Sequence, residues 1–100
     1  MGFTLIDKKG LSKFLIDKNI DSEKIHMHIS EIEPGMSSHN THEHPGLEVI
    51  YVFNGNGTLK IETQKYPIGP NEAIVIDSSK THGLTNSGVS SLRYMVIKLI

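Results

Sequence analysis

From Lys24 to the end of the chain, apolar residues recur at every second position in short runs, and most runs stop at Gly, Pro or Asn. Side chains two apart share one face of an extended strand, whereas a helical face repeats every three to four residues. "Lys24-Ile25-His26-Met27-His28-Ile29" alternates polar with apolar, as a half-buried strand does, and Pro34-Gly35 closes it. "Glu48-Val49-Ile50-Tyr51-Val52-Phe53" is rich in β-branched and aromatic residues. It is followed by "Asn54-Gly55-Asn56-Gly57" and the alternating "Thr58-Leu59-Lys60-Ile61-Glu62", a pattern that predicts a hairpin. Turns are expected at Thr63-Gln64-Lys65 and Gly69-Pro70-Asn71, a buried strand over Ala73-Ile74-Val75-Ile76, a loop over Asp77-Ser78-Ser79-Lys80, and a last strand over 92–100. Many short strands punctuated in this way predict an all-β fold, a sandwich or a closed barrel. Ahead of Lys24 the pattern is ambiguous: Leu11, Phe14 and Leu15 have helical spacing, yet Phe14-Leu15-Ile16 also suits a short strand.

With 100 residues and no linker or repeat, one domain is expected over 1–100, an N-terminal extension (1–23) ahead of a barrel (24–100). The net charge of −1 and the lack of a Lys/Arg run give no electrostatic basis for binding nucleic acid or an anionic membrane. Cysteine is absent, which excludes disulfides, thiolate metal sites and cysteine nucleophiles. "MGFTLIDKKG" lacks the apolar core of a signal peptide, and no segment approaches the ~20 apolar residues of a membrane span, so a cytoplasmic location is expected. Asn56-Gly57-Thr58 matches a glycosylation acceptor but reads as a turn.

The chemistry concentrates in "His39-Asn40-Thr41-His42-Glu43-His44-Pro45-Gly46-Leu47-Glu48". On a strand, His42 and His44 would point the same way with Cβ atoms roughly 7 Å apart, close enough to converge on one ion. Glu48 has the same parity. If Glu48, Ile50 and Val52 face inward, the carboxylate lies at the mouth of an apolar cavity, where it needs a charge partner, and a cation would serve. His82, after the loop that follows Ile76, would complete a set of three imidazoles and one carboxylate. Such a set suits a divalent first-row metal: iron, manganese, nickel, copper or zinc. The plainer alternative is a hydrogen-bonded polar network of the same four residues without metal. His26 and His28 read as surface or hydrogen-bonded residues, as does His39 unless it approaches the metal as a substitute ligand. Tyr51 is expected on the outer face, and Asp77 in a solvated turn rather than supporting a histidine.

His42-Glu43-His44, then Glu48 and Gly55, resembles the first motif of the cupin family, and His82-Gly83-Leu84-Thr85-Asn86 resembles the end of the second. The resemblance spans about 29–99. It departs at Asn71-Glu72, where cupins typically have Gly-Asp, and at Asp77-Ser78-Ser79, where they have Pro-x-Gly; Gly35 also sits one residue further from His42 than usual. It implies an antiparallel jelly-roll (double-stranded β-helix) barrel with a metal inside one end, and ligand positions at His42, His44, Glu48 and His82. Residues 48–59 also look like the ligand-sensing barrel of AraC-type regulators, without the DNA-reading region that follows it there. Three functional classes follow: a metal-dependent enzyme, whose catalytic residues beyond the metal the sequence does not identify; a small-molecule sensing or binding module, with or without metal; and a structural domain. In 92–100 both alternating sets are largely apolar, Leu92, Tyr94, Val96, Lys98, Ile100 and Arg93, Met95, Ile97, Leu99. One set must fill the barrel. The other predicts a covering surface, from the N-terminal segment or, as favoured, from a second subunit in a homodimer.

Overall fold

A computed structural model describes residues 2–38 and 45–100. Every strand pairing is antiparallel. β1 (Phe3–Leu5) and β2 (Leu15–Asp17) form a small ribbon of their own. β3 (Ile25–Ile32), β9 (Leu92–Leu99), β4 (Leu47–Asn54) and β7 (Ala73–Asp77) make a four-stranded sheet in that order. β6 (Gln64–Ile68), β5 (Gly57–Ile61) and β8 (His82–Asn86) make a three-stranded one. The chain therefore passes back and forth between two sheets, and their inner faces share one core. Ile32, Ile50, Val52, Ile76, Leu92, Tyr94 and Val96 of the larger sheet pack with Leu59, Ile68 and Leu84 of the smaller. This is the expected all-β jelly roll.

Strand parity sets what lies inside. On β4, Glu48, Ile50 and Val52 are buried and Val49, Tyr51 and Phe53 face outward. The Tyr51 hydroxyl donates to Asn71 Oδ1 at 2.8 Å, and its ring meets Phe53 edge-on at 5.1 Å. On β9 the inner set is Leu92, Tyr94 and Val96, and Lys98 continues it at the strand's end.

Three sequence expectations change. The Asn54–Gly57 turn does not close a hairpin. Both edges of β4 are taken by β7 and β9, so β5 leaves for the other sheet. Gly55 makes that departure possible: its φ is 91°, and a Cβ there would lie 2.6 Å from the Ser91 carbonyl oxygen. The tight hairpin is β5–β6, across Glu62 and Thr63, which places Gln64 and Lys65 in a strand rather than a turn. In the N-terminal segment the helical reading fails. Leu15 and Ile16 lie on β2, and among the described residues the only helical turn is a 3-10 turn at Ser22–Lys24, capped by Asp21.

The motif departures keep their loops by other means. Asn71 adopts φ 62°, a conformation that asparagine tolerates, and the Glu72 carboxylate accepts from the Gly69 N–H at 2.6 Å. Asp77 is exposed, as expected, but ends β7 rather than lying in the turn, and it accepts from the Ser79 N–H and hydroxyl. These bonds hold its carboxyl below the usual range. Asn86, 1% exposed, donates to the Ile32 and Ser90 carbonyls and accepts from the Gly88 N–H, so it ties loop to sheet.

Candidate functional site

Glu48 lies near the start of β4 and His82 at the start of β8, so the two sheets present them to one another at one end of the jelly roll. Glu48 is placed by Gly46. Its φ is 96°, and a Cβ there would run into the Leu99 carbonyl oxygen, so only glycine brings this segment so close to β9. Both side chains are deeply buried, with Glu48 5% and His82 4% exposed, and His82 Nε2 is 3.4 Å from Glu48 Oε1. His82 Nδ1 is 2.7 Å from the Lys80 carbonyl oxygen. A carbonyl only accepts, so Nδ1 carries hydrogen and Nε2 is turned to the carboxylate. At that distance a positive charge, a proton or a metal ion, would join the two groups. This donor pair, one imidazole nitrogen and one carboxyl group in a desolvated corner, fits half of the expected metal set. His39, His42 and His44 lie outside the described residues. Among the described residues, no three His, Asp or Glu side chains form a group able to hold a metal ion.

A cavity of about 90 Å³ adjoins the pair. Ile50, Leu59, Leu84 and Val96 line it, as an apolar barrel interior should, but so do His28, Ser38, Tyr94 and Lys98. His28, read from sequence as a surface or hydrogen-bonded residue, is instead half-buried on the cavity wall. Ile32 and Ser30 are buried on the inner face of β3, and parity carries His28 and His26 onto that face, leaving Ile25, Met27 and Ile29 outside. Across the larger sheet the register sets His26 beside Lys98 beside Glu48, with His28 beside Val96 beside Ile50 in the next row. The even spacing from His26 to Ile32 was the available signal; it is masked in sequence because the outward set is the more apolar one.

The electrostatics follow from this placement. Burial lowers the pKa of His28, and the charges of Lys98, Lys9 and Lys8 lower it further against the opposing pull of Glu48. Burial raises the pKa of Tyr94, opposed by its hydrogen bond with Ser30 and aided by the Glu48 charge. At neutral pH the cavity wall thus offers a neutral imidazole and a protonated phenol.

The Cupin_2 family (cupin domain) matches residues 28–98. No curated protein matches the chain. Among solved structures, a predicted oxalate decarboxylase from Thermotoga maritima superimposes with a TM-score of 0.71 at 26% identity, covering 88% of this chain and 78% of that one. A proposed sugar phosphate isomerase from Acidithiobacillus ferrooxidans gives 0.67 at 33% identity, over 77% of this chain and 51% of that one. The Cupin_2 domain of an XRE family transcriptional regulator from Enterobacter cloacae gives 0.71 at 20% identity, over 77% and 82%, a likeness of fold.

Proposed function

The chain belongs to the cupin domain family, and from that premise we propose that it holds a divalent first-row metal on His42, His44, Glu48 and His82 and receives a small molecule in the adjoining cavity. The observation that supports this most is the buried Glu48–His82 pair, with Nδ1 of His82 bonded to the Lys80 carbonyl and Nε2 turned to the carboxylate. Histidine ligands are commonly fixed in this way, one ring nitrogen bonded to a backbone oxygen and the other left for the ion. A metal bound there would polarise an oxygen of the ligand or of a water molecule. The chain's own part is to shape and dry the pocket with Ile50, Leu59, Leu84 and Val96. Tyr94 and His28 supply a hydrogen-bond donor and a proton acceptor on its wall. Two neighbours above 25% identity are named for reactions on small molecules, in keeping with this reading.

The same pair also supports a second reading, a metal-free binding module in which a proton joins His82 to Glu48 as a buried ion pair. Elemental analysis of purified protein, after loading with Fe, Mn, Ni, Cu or Zn and desalting, separates the two. The metal reading expects close to stoichiometric metal in the wild type and little in His42→Ala/His44→Ala. Metal-free wild type selects the second reading. Equal occupancy in the double variant rejects the ligand set.

A further inference from the structure

The cavity does not end at Glu48 and His82. It shares His28 and Lys98 with an open groove of about 630 Å³, to which Lys8, Lys9, His26 and Asp7 also contribute. Three lysines against one aspartate is an unusual concentration in a chain whose net charge is −1. The basic groups are placed, not scattered. Lys98 follows the inward-facing Leu92, Tyr94 and Val96 and stands opposite Glu48 on one side and His26 on the other. Lys8 Nζ donates to His26 Nδ1 at 3.5 Å. Lys9 is held by its backbone, its carbonyl accepting from the Ile29 N–H at 2.9 Å. Gly10 permits this approach: its φ is +78°, and a Cβ there would collide with the Ile29 carbonyl oxygen. Lys8 and Lys9 precede residues 28–98, the part that matches the cupin domain, so the extension brings charge to the groove that adjoins the barrel's cavity.

We propose that Lys8, Lys9 and Lys98, with His28 and Lys98 bordering both groove and cavity, form an anion subsite that takes the carboxylate or phosphate group of the small molecule whose remainder reaches toward Glu48 and His82. The substrate class is then a small organic anion. This rests on the ligand-binding half of the reading above but not on the metal. If Glu48 is engaged by a metal ion, Lys98 faces added positive charge and the demand for an anion grows. A Lys98 that served only to balance Glu48 would leave Lys8 and Lys9 without any part in binding.

Calorimetric titration of the full chain with inorganic phosphate, with oxalate and with neutral glycerol tests this, run on metal-loaded and on chelator-treated protein. The wild type is expected to bind one of the anions with a dissociation constant of about 1 mM or tighter and glycerol not at all. Affinity should fall as salt is raised, since exposed charges are screened. Lys98→Gln should weaken binding roughly tenfold, the scale of one charge-assisted hydrogen bond. Lys8→Gln/Lys9→Gln, which keeps the backbone bond between Lys9 and Ile29, should weaken it several-fold. The preferred anion distinguishes a carboxylate from a phosphate ligand. No anion binding by the wild type up to on the order of 10 mM overturns the proposal, as do affinities unchanged in the lysine variants. Anion binding that persists after metal removal and is lost in the lysine variants supports the subsite even where the metal reading fails.

Discussion

His28 shows how much one side chain's position decides. Its period-two neighbours His26 and Ser30 made β3 read as a strand with a wet polar face, yet that face turns inward toward the cavity. The consequence is measurable. Its pKa in the folded chain lies below the ordinary value of 6.5, so between the two values the unfolded chain binds more protons than the folded one. Stability therefore rises with pH through that window. His28's contribution is intact above about pH 7 and is lost as the pH falls through the lowered pKa. Urea midpoints measured between about pH 7.5 and pH 5 should fall less steeply for His28→Gln than for the wild type. Parallel profiles would show that His28 is not held neutral by its surroundings. His82 differs in kind: it was singled out because a histidine followed four residues later by Asn86 resembles a motif, and both residues are buried.

At the scale of elements, the strands with strong alternation were legible and those without it were not. β4 buries Glu48, Ile50 and Val52 as its alternation suggests, and β9 was legible as a strand although both of its sets are largely apolar. β6 is an edge strand reading Gln64-Lys65-Tyr66-Pro67-Ile68, mostly exposed, with a proline that only an edge accommodates. Nothing in its pattern marks it. β8 holds Gly83 and Asn86 and was not expected as a strand, although His82, Leu84 and Asn86 form a buried face. Strand partners were the least legible, because the Asn-Gly turn after β4 fixes a bend and not a neighbour. The turn before β4 matters more to the site. Gly46→Ala would force a Cβ against the Leu99 carbonyl in a backbone region that L-residues avoid. It should cost more than about 1 kcal/mol of unfolding free energy and, by shifting Glu48, lower metal retention as well. Denaturation and metal assay of that variant check the two together. Wild-type values in both would show that the segment is not fixed by this contact.

For the whole molecule, the outer face of the larger sheet remains apolar. Met27, Ile29, Val49, Met95 and Ile97 are half-buried on it, and Leu47, Val75 and Leu99 are exposed, Val75 to 64%. The ribbon adds exposed Phe3, Leu5 and Leu15. The extension thus leaves this face largely open, and we propose that a second copy of the chain covers it, as the two apolar sets of β9 led us to expect. Light scattering should give a dimer mass at micromolar concentration, whereas a monomer at high micromolar concentration would show that the face tolerates water. No helix among the described residues is long and apolar enough to cross a membrane. The reading of the molecule as a metal-holding barrel is tested most directly by a crystal structure of metal-loaded protein, with diffraction recorded on both sides of the metal's absorption edge. The expected result is one anomalous peak per chain, roughly 2.0–2.3 Å from Glu48 Oε1, His82 Nε2 and a ring nitrogen each of His42 and His44. A fully loaded crystal with no anomalous peak between Glu48 and His82, or a peak held elsewhere on the surface, would contradict it.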